Sequence, residues 1–318
     1  MPLTLTPLAA PISPQPSTAN LRGDARAWRF PEFFSLTTEQ IAQLPLQIGN
    51  RTRTTGECFS ITGDGADQTL IIAGDISWLD WLGGGLAGGS ISVRGSVGDF
   101  CGAEMSAGQI SILGDAGHGA GCQMSGGTLV IEGNTGNNTA GCFAGSLRGQ
   151  RGGTVLIGGS VGNHAGQYQR RGLLVIGGNA AAEAGLFQRA GTIIIGGTAG
   201  PRMGQGMRRG TIGILAKDLP KGELKDLPAV QPFTKLPFPD CLTPGRFVPG
   251  YQGQPVVFNL LARHLRNFIV RNDLLGQNGA FSLGTKLTRI CEELQGKLRL
   301  FHGDLLAAGK GEVWIAAV

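Results

Sequence analysis

Three arginines, Arg170, Arg189 and Arg208, recur at a spacing of 19 residues. In a repeating chain, equivalent side chains stack in a column, so this spacing predicts a line of guanidinium groups. Arg171 and Arg209 widen the line, and Arg148 and Arg151 extend it toward the N-terminus. From residue 148 to 209 there are eight Arg, no Lys and one acid, Glu183. Like charges stacked about 5 Å apart repel, so they either reach solvent or meet an anion. The planar two-toothed guanidinium fits a carboxylate better than an ammonium does. Arg148, Arg151, Arg170, Arg171, Arg189, Arg208 and Arg209 are therefore the candidate binding residues, for an anionic ligand or an acidic partner surface.

Other reactive side chains form no comparable pattern. The acids between 74 and 216 are Asp75, Asp80, Asp99, Glu104, Asp115, Glu132 and Glu183. Asp80 reads as part of an irregular insertion, so no two carboxylates share a register in neighbouring repeats, which argues against a general acid/base pair. His118, His164, His264 and His302 form neither H-x-H nor H-E-x-x-H, and no metal site is expected. The six cysteines contain no C-x-x-C, which excludes a zinc ribbon and an iron–sulfur motif. Cys122 and Cys142 occupy equivalent places, read as a ladder of small packed residues. Met105, Met124 and Met207 share one register with Gln169 and Gln188 between them, which reads as packing.

These residues are positioned by a repeat. Short apolar runs each end on a glycine: Gly74, Gly95, Gly114, Gly133, Gly159, Gly178 and Gly197, with Ala216 in the equivalent eighth place. The spacings are 21, 19, 19, 26, 19, 19 and 19, and Ser146–Gly152 accounts for the long one. The runs are β-branched and too short for helices, so they read as strands. The glycines suit corners of positive φ or close approach of stacked backbones. The fold class this predicts is all-β: a parallel β-helix (solenoid) of about eight Gly-rich coils over 69–216. Residues 21–68 read as its N-terminal cap, with a short helix at Thr37–Leu44 capped by Thr38. Residues 217–318 read as an extended arm followed by an amphipathic helix over Pro255–Val270, with Leu261, Leu265, Phe268 and Ile269 at helical spacing.

Composition excludes other classes. The chain has 318 residues, 55 of them Gly, without the strict triplet of collagen. A net charge of +5 is modest, and few aromatics interleave with the arginines, so nucleic acid is not an expected partner. No apolar run approaches the roughly 18 residues that cross a bilayer. Residues 1–20 are rich in Pro, Ser and Thr, with no basic n-region before an apolar h-region. The expectation is a flexible tail on a cytoplasmic protein that does not bind membranes.

The run from Gly88 to Gly136 resembles the glycine-patterned domain shared by glutamate synthase and the C-type subunit of formylmethanofuran dehydrogenase. Four further segments resemble the second family: "LPLQIGNR" (Leu44–Arg51), "SLRGQRGGTVLIGG", "GRFVPGYQGQPVVFNLLARHL" and "HGDLLAAGKGEVWI". Together they cover roughly residues 35–318. The resemblance implies a structural, C-type member of a one-carbon enzyme complex, itself without catalytic residues. In the methylotroph formyltransferase/hydrolase version, formyl passes from tetrahydromethanopterin to a methanofuran-type carrier and leaves as formate. In the other version, a molybdenum or tungsten pterin on a different chain reduces CO2. The long N-terminal stretch and "NDLLGQNGAFSLGTKLTRICEE" favour the first. The resemblance implies hydrolase-like (amidohydrolase), dehydrogenase-like and formyltransferase partners, with zinc or the pterin held by those partners and no cofactor in this chain. The carrier's glutamyl carboxylates make the seven arginines candidates for carrier or partner binding. A stand-alone β-solenoid binding protein and a glutamate synthase-like spacer domain are the alternatives.

Overall fold

Runs such as Thr-Leu-Ile-Ile and Thr-Ile-Ile-Ile form strands, as their length and β-branching require. A computed structural model describes residues 2–8, 22–30, 32–215, 241–243, 245–253, 255–271, 282–296 and 298–316. Residues 9–20 of the expected tail and 217–240 of the expected arm lie outside these. The N-terminal part supplies β1 (Leu3–Pro7), β2 (Gly23–Asp24), β3 (Pro45–Ile48), β4 (Arg51–Thr54), β5 (Phe59–Thr62), β6 (Thr69–Ile72) and β7 (Leu79–Asp80). The repeats supply β8 (Ala87–Val93), β9 (Ala107–Ile112), β10 (Thr128–Ile131), β11 (Arg151–Ile157), β12 (Arg171–Ile176), β13 (Thr192–Ile195) and β14 (Thr211–Ile214). The C-terminal part supplies β15 (Val248–Gly253), β16 (Leu298–Gly303) and β17 (Gly311–Ala316). The helices are α1 (Thr38–Gln43), α2 (Thr55–Cys58), α3 (Val256–Arg271) and α4 (Ser282–Glu293).

One sheet of 13 strands runs β15-β16-β17-β14-β13-β12-β11-β10-β9-β8-β6-β1-β5. It is parallel from β17 to β1 and antiparallel at both ends, where β5 pairs β1 and where β16 pairs both β15 and β17. A smaller sheet, β4-β3-β2-β7, lies in the N-terminal part. β1 falls inside the stretch expected as a tail. Its Leu3 and Leu5 are buried, and it fills the place beside β6 that a preceding repeat would occupy.

The sheet's two faces explain the rest. One face contributes Leu70, Ile72, Ile91, Val93, Ile110, Ile112 and their successors to a continuous core that runs the length of the stack. On the other face the early strands present Ser92 and Ser111, but from β10 to β13 the equivalent residues are Val130, Leu156, Val175 and Ile194. A second core covers them, built with Phe258, Ala262, Leu265 and Ile269 of α3 and Leu283, Leu287 and Ile290 of α4. Strands buried on both faces read as unbroken apolar runs, and strands buried on one face alternate.

This overturns the expected all-β parallel β-helix. The chain is mixed α/β: a large, mostly parallel sheet with two antiparallel ends and a helical layer on one face, beside the small N-terminal sheet. Each repeat contributes one strand. The rest of it is turn, joined to its neighbours by isolated bridges such as Ile76–Val97, Val97–Ala116 and Ala116–Thr135. The unbroken apolar runs signal a helical cover, not a closed interior. Two smaller differences follow the local chemistry. Thr37, not Thr38, caps α1 in a reciprocal box with Gln40. The side of α3 facing the core is Phe258, Ala262, Leu265 and Ile269, with Leu261 and Phe268 at its margin.

Candidate anion-binding column

The column is set by a buried ladder beneath it. Gln150, Gln169 and Gln188 are fully buried in one register. Gln169 donates to Gln150 Oε1 at 2.9 Å, and Gln188 donates to Gln169 Oε1 at 3.0 Å. Gln169 and Gln188 are each followed by an arginine whose backbone is locked to the ladder, while Arg151, after Gln150, donates its N–H to Met124 O at 2.7 Å. The N–H groups of Arg170, Arg189 and Arg208 donate to the carbonyls of Gln150, Gln169 and Gln188, each at 2.8 Å. Arg151 and Arg171 face each other across β11 and β12. Arg148 lies in the loop that interrupts the repeat, and Arg170 Nη2 donates to that loop at Leu147 O, 3.5 Å. Of the seven, Arg189 is half-buried and the other six are exposed.

Lys310 extends the line. Its N–H donates to Arg208 O at 2.7 Å, because β17 pairs β14. Sequence reasoning missed it across a long separation. The signal was present: Lys310-Gly311-Glu312-Val313-Trp314-Ile315 repeats the basic-Gly-x-apolar pattern of Arg209–Ile214. Among the described residues, none of these cations pairs with a carboxylate. The one acid in the region, Glu183, bonds His164 Nε2 at 2.6 Å and also Arg202, which removes Arg202 from the column. Neighbouring guanidinium charges about 5 Å apart repel by roughly 1 kcal/mol in water. An anion bridging them relieves this, so the column can bind carboxylates. It holds no nucleophile or general base.

The remaining polar residues do structural work. Asp75, Ser96, Asp115, Asn134, Ser160 and Asn179 each accept the backbone N–H of the equivalent position one repeat on. Asp99, His118, Asn137 and Asn163 form a second ladder of the same kind. Hydrogen bonds from Ser77 and Ser96 outweigh burial and hold the Asp75 carboxyl below the usual range. One expectation is corrected here: Asp80 and Asp99 do share a register, since Asp80 Oδ1 accepts from Asp99 N at 2.7 Å. Arg22 Nη2 bridges both carboxylates, at 2.6 and 2.9 Å. Burial still lifts the Asp80 carboxyl above its ordinary value.

Asp304 is fully buried and accepts from Arg246 Nη1 at 2.5 Å and from Gly206 N at 2.8 Å, which fastens the C-terminal strands to the last repeat. All six cysteines are buried and none is in a disulfide, and burial pushes Cys101 and Cys122 up to about 12. Cys122 donates to Asn138 O at 3.1 Å. Among the described residues, no three His, Cys, Asp or Glu side chains gather as a metal site, and no helix is long and apolar enough to cross a membrane.

The glycines Gly74, Gly95, Gly114, Gly133, Gly159, Gly178 and Gly197 serve close approach. A Cβ on Gly95 would lie 2.6 Å from Asp75 Cα, and one on Gly133 would lie 2.7 Å from Gly114 O.

No protein-family model matches the chain, and no curated protein does. A solved structure does. One chain of the formyltransferase/hydrolase complex (FhcABCD) from Methylorubrum extorquens, crystallised with methylofuran, is 31% identical with a TM-score of 0.77, over 99% of this chain and 100% of that one. With that identity along the full length of both, the chain belongs to the family of a subunit of the formyltransferase/hydrolase complex.

Proposed function

We propose that this chain is the C-type subunit of a formyltransferase/hydrolase complex, a scaffold that brings no catalytic residue of its own. In this reading the arginine column holds the carboxylates of a methanofuran-type carrier while formyl moves from tetrahydromethanopterin to that carrier and is released as formate on other chains. The observation behind it is the column itself. Arg148, Arg151, Arg170, Arg171, Arg189, Arg208 and Arg209, with Lys310, form a line of cations with no acid among them in a chain whose neighbour was crystallised with methylofuran. Hydrolase-like, dehydrogenase-like and formyltransferase chains are its partners, and zinc or a pterin belongs to them.

Two measurements test this. Purification of the complex through this chain from its host should bring down those three chains in constant ratio, with zinc and neither molybdenum nor tungsten. The chain emerging alone overturns the subunit reading, and molybdenum or tungsten overturns the formate-releasing one. In the purified complex, Arg170→Gln/Arg189→Gln/Arg208→Gln should raise the carrier KM about tenfold, or about 1.4 kcal/mol, with kcat unchanged. The KM of the unmodified complex should rise with salt, because exposed charges are screened within about 8 Å at physiological ionic strength. An unchanged KM overturns the assignment of the column.

A further inference from the structure

Helix α3 carries an apolar stripe that the described structure covers and, on its opposite side, exposed apolar residues on either side of Arg263 and Asn267. Phe258, Ala262, Leu265 and Ile269, spaced 4, 3 and 4 residues apart, are buried against the sheet. The opposite side, at the same spacing, is Val256, Leu260, Arg263, Asn267 and Val270. Val256, Leu260 and Val270 are 73%, 61% and 77% exposed, and the neighbouring Val257 is 52% exposed. An ordinary surface helix is polar on its outer side, and clustered exposed apolar residues mark interaction sites.

Beside the stripe is a groove of about 410 Å³ lined by Asn259, Leu260, Arg263, Arg266, Asn267 and Gln295. Its charge has one sign. The helix has no Asp or Glu along its 16 residues. Arg266 Nη2 donates to the neutral Gln295 Oε1 at 3.1 Å, and among the described residues Arg263 pairs with no carboxylate. On the adjoining helix Glu293 is taken by Arg289 at 2.8 Å, and Glu292 is exposed and does not line the groove.

We infer that the outer face of α3 docks a helix of another subunit of the complex, one with an apolar stripe bordered by Asp and Glu. The inference rests on the reading of this chain as a subunit. From Val256 to Val270 the stripe is about 21 Å long at 1.5 Å per residue, room for roughly four turns of a partner helix. Helix-in-groove recognition reads apolar anchors at this spacing. Arginines at the rim supply charge complementarity, which sets orientation and association rate. The surface shares no residue with the arginine column, which is built on the turns between repeats and on the first residues of β11 and β12.

The test uses the full chain in its host. A photoreactive benzoylphenylalanine replaces Leu260, the complex is irradiated, and the crosslinked peptide is sequenced by mass spectrometry. The same substitution at Leu113, which is 42% exposed on the repeats, is the control. The expected product joins Leu260 to a peptide of a different subunit with acids flanking apolar residues at helical spacing. Arg263→Glu/Arg266→Glu should reduce that crosslink at least tenfold, while circular dichroism and the Tm of the chain stay unchanged. A crosslink to residues 217–240 or 272–281 of this chain, one to a second copy of it, or none at all overturns the inference. So does a crosslink that survives charge reversal. Copurification of the other subunits reads the subunit assignment separately, so an intact complex without the Leu260 crosslink refutes this face alone.

Discussion

At Gln169 a single side chain accepts from one repeat and donates to the previous one, in a place where more distant repeats carry Met105, Met124 and Met207. Gln169→Met keeps the volume but strands the Gln150 carbonyl and one proton of the Gln188 amide. A buried polar group left unpaired costs about 1–3 kcal/mol. The expected result is a loss of that size in urea unfolding. Replacing all three glutamines by Met should cost less than the sum of the single changes, because no side-chain amide of the ladder is then left facing an apolar neighbour, although the Gly153, Gly172 and Gly191 carbonyls lose a donor in either case. Strictly additive losses would refute coupling along the ladder. The arginines above it were legible in the sequence as a 19-residue period. The ladder was half legible: Gln169 and Gln188 were placed in the methionine register, but Gln150 was displaced from it by the insertion. Asp80 escaped for the same reason, since register across an irregular loop is decided by pairing and not by counting.

Among the elements, the turns into the strands impose the strictest limits. Gly127, just before β10, has φ +75°, and a Cβ there would lie 2.5 Å from Met105 Cε and 2.8 Å from Gly108 O. Gly145, in the loop between β10 and β11, has φ +78° and nothing within 4 Å. Both substitutions meet the left-handed penalty of about 1–2 kcal/mol. Only Gly127→Ala also pushes against a backbone that belongs to the neighbouring repeat. Gly127→Ala should therefore cost about 3 kcal/mol or more, and Gly145→Ala about 1–2 kcal/mol, read as the shift in urea midpoint at constant slope. Equal losses would show that the stack yields at this contact. The β-branched runs and their glycines announced strands and close corners. They did not announce which face each strand buries.

Across the whole molecule, the helical layer rests on β10 to β14 and β17 and is fastened at few polar points. Glu132 Oε2 accepts the N–H of Leu283 at 2.8 Å in the first turn of α4, and Lys286 Nζ donates to Gly158 O at 2.7 Å. The repeat core runs unbroken beneath. Layers joined by fewer contacts open below the global free energy. Amides of α3 and α4 should exchange faster than those of β8 to β13. Glu132→Ala removes a charged acceptor worth about 1.5–3 kcal/mol. It should speed exchange over residues 282–293 by about tenfold or more and leave β8 and β9 unchanged. Acceleration along the entire stack would show instead that sheet and helices unfold as one unit.

By itself the sequence determined the repeat, its strands, the arginine period, the helix read over Pro255–Val270 and the family resemblance over roughly residues 35–318. These depend on spacing and residue type within a few tens of residues, where periodicity and sterics act directly. Tertiary structure alone decided that the chain is mixed α/β, with helices covering one face of its large sheet. It also decided that β1 occupies the place of a missing repeat, that Lys310 joins the arginines and that Arg22 bridges Asp80 and Asp99. Each of these joins residues far apart in the chain. Their meeting depends on how apolar faces find cover and how strand edges are paired, which no local pattern encodes.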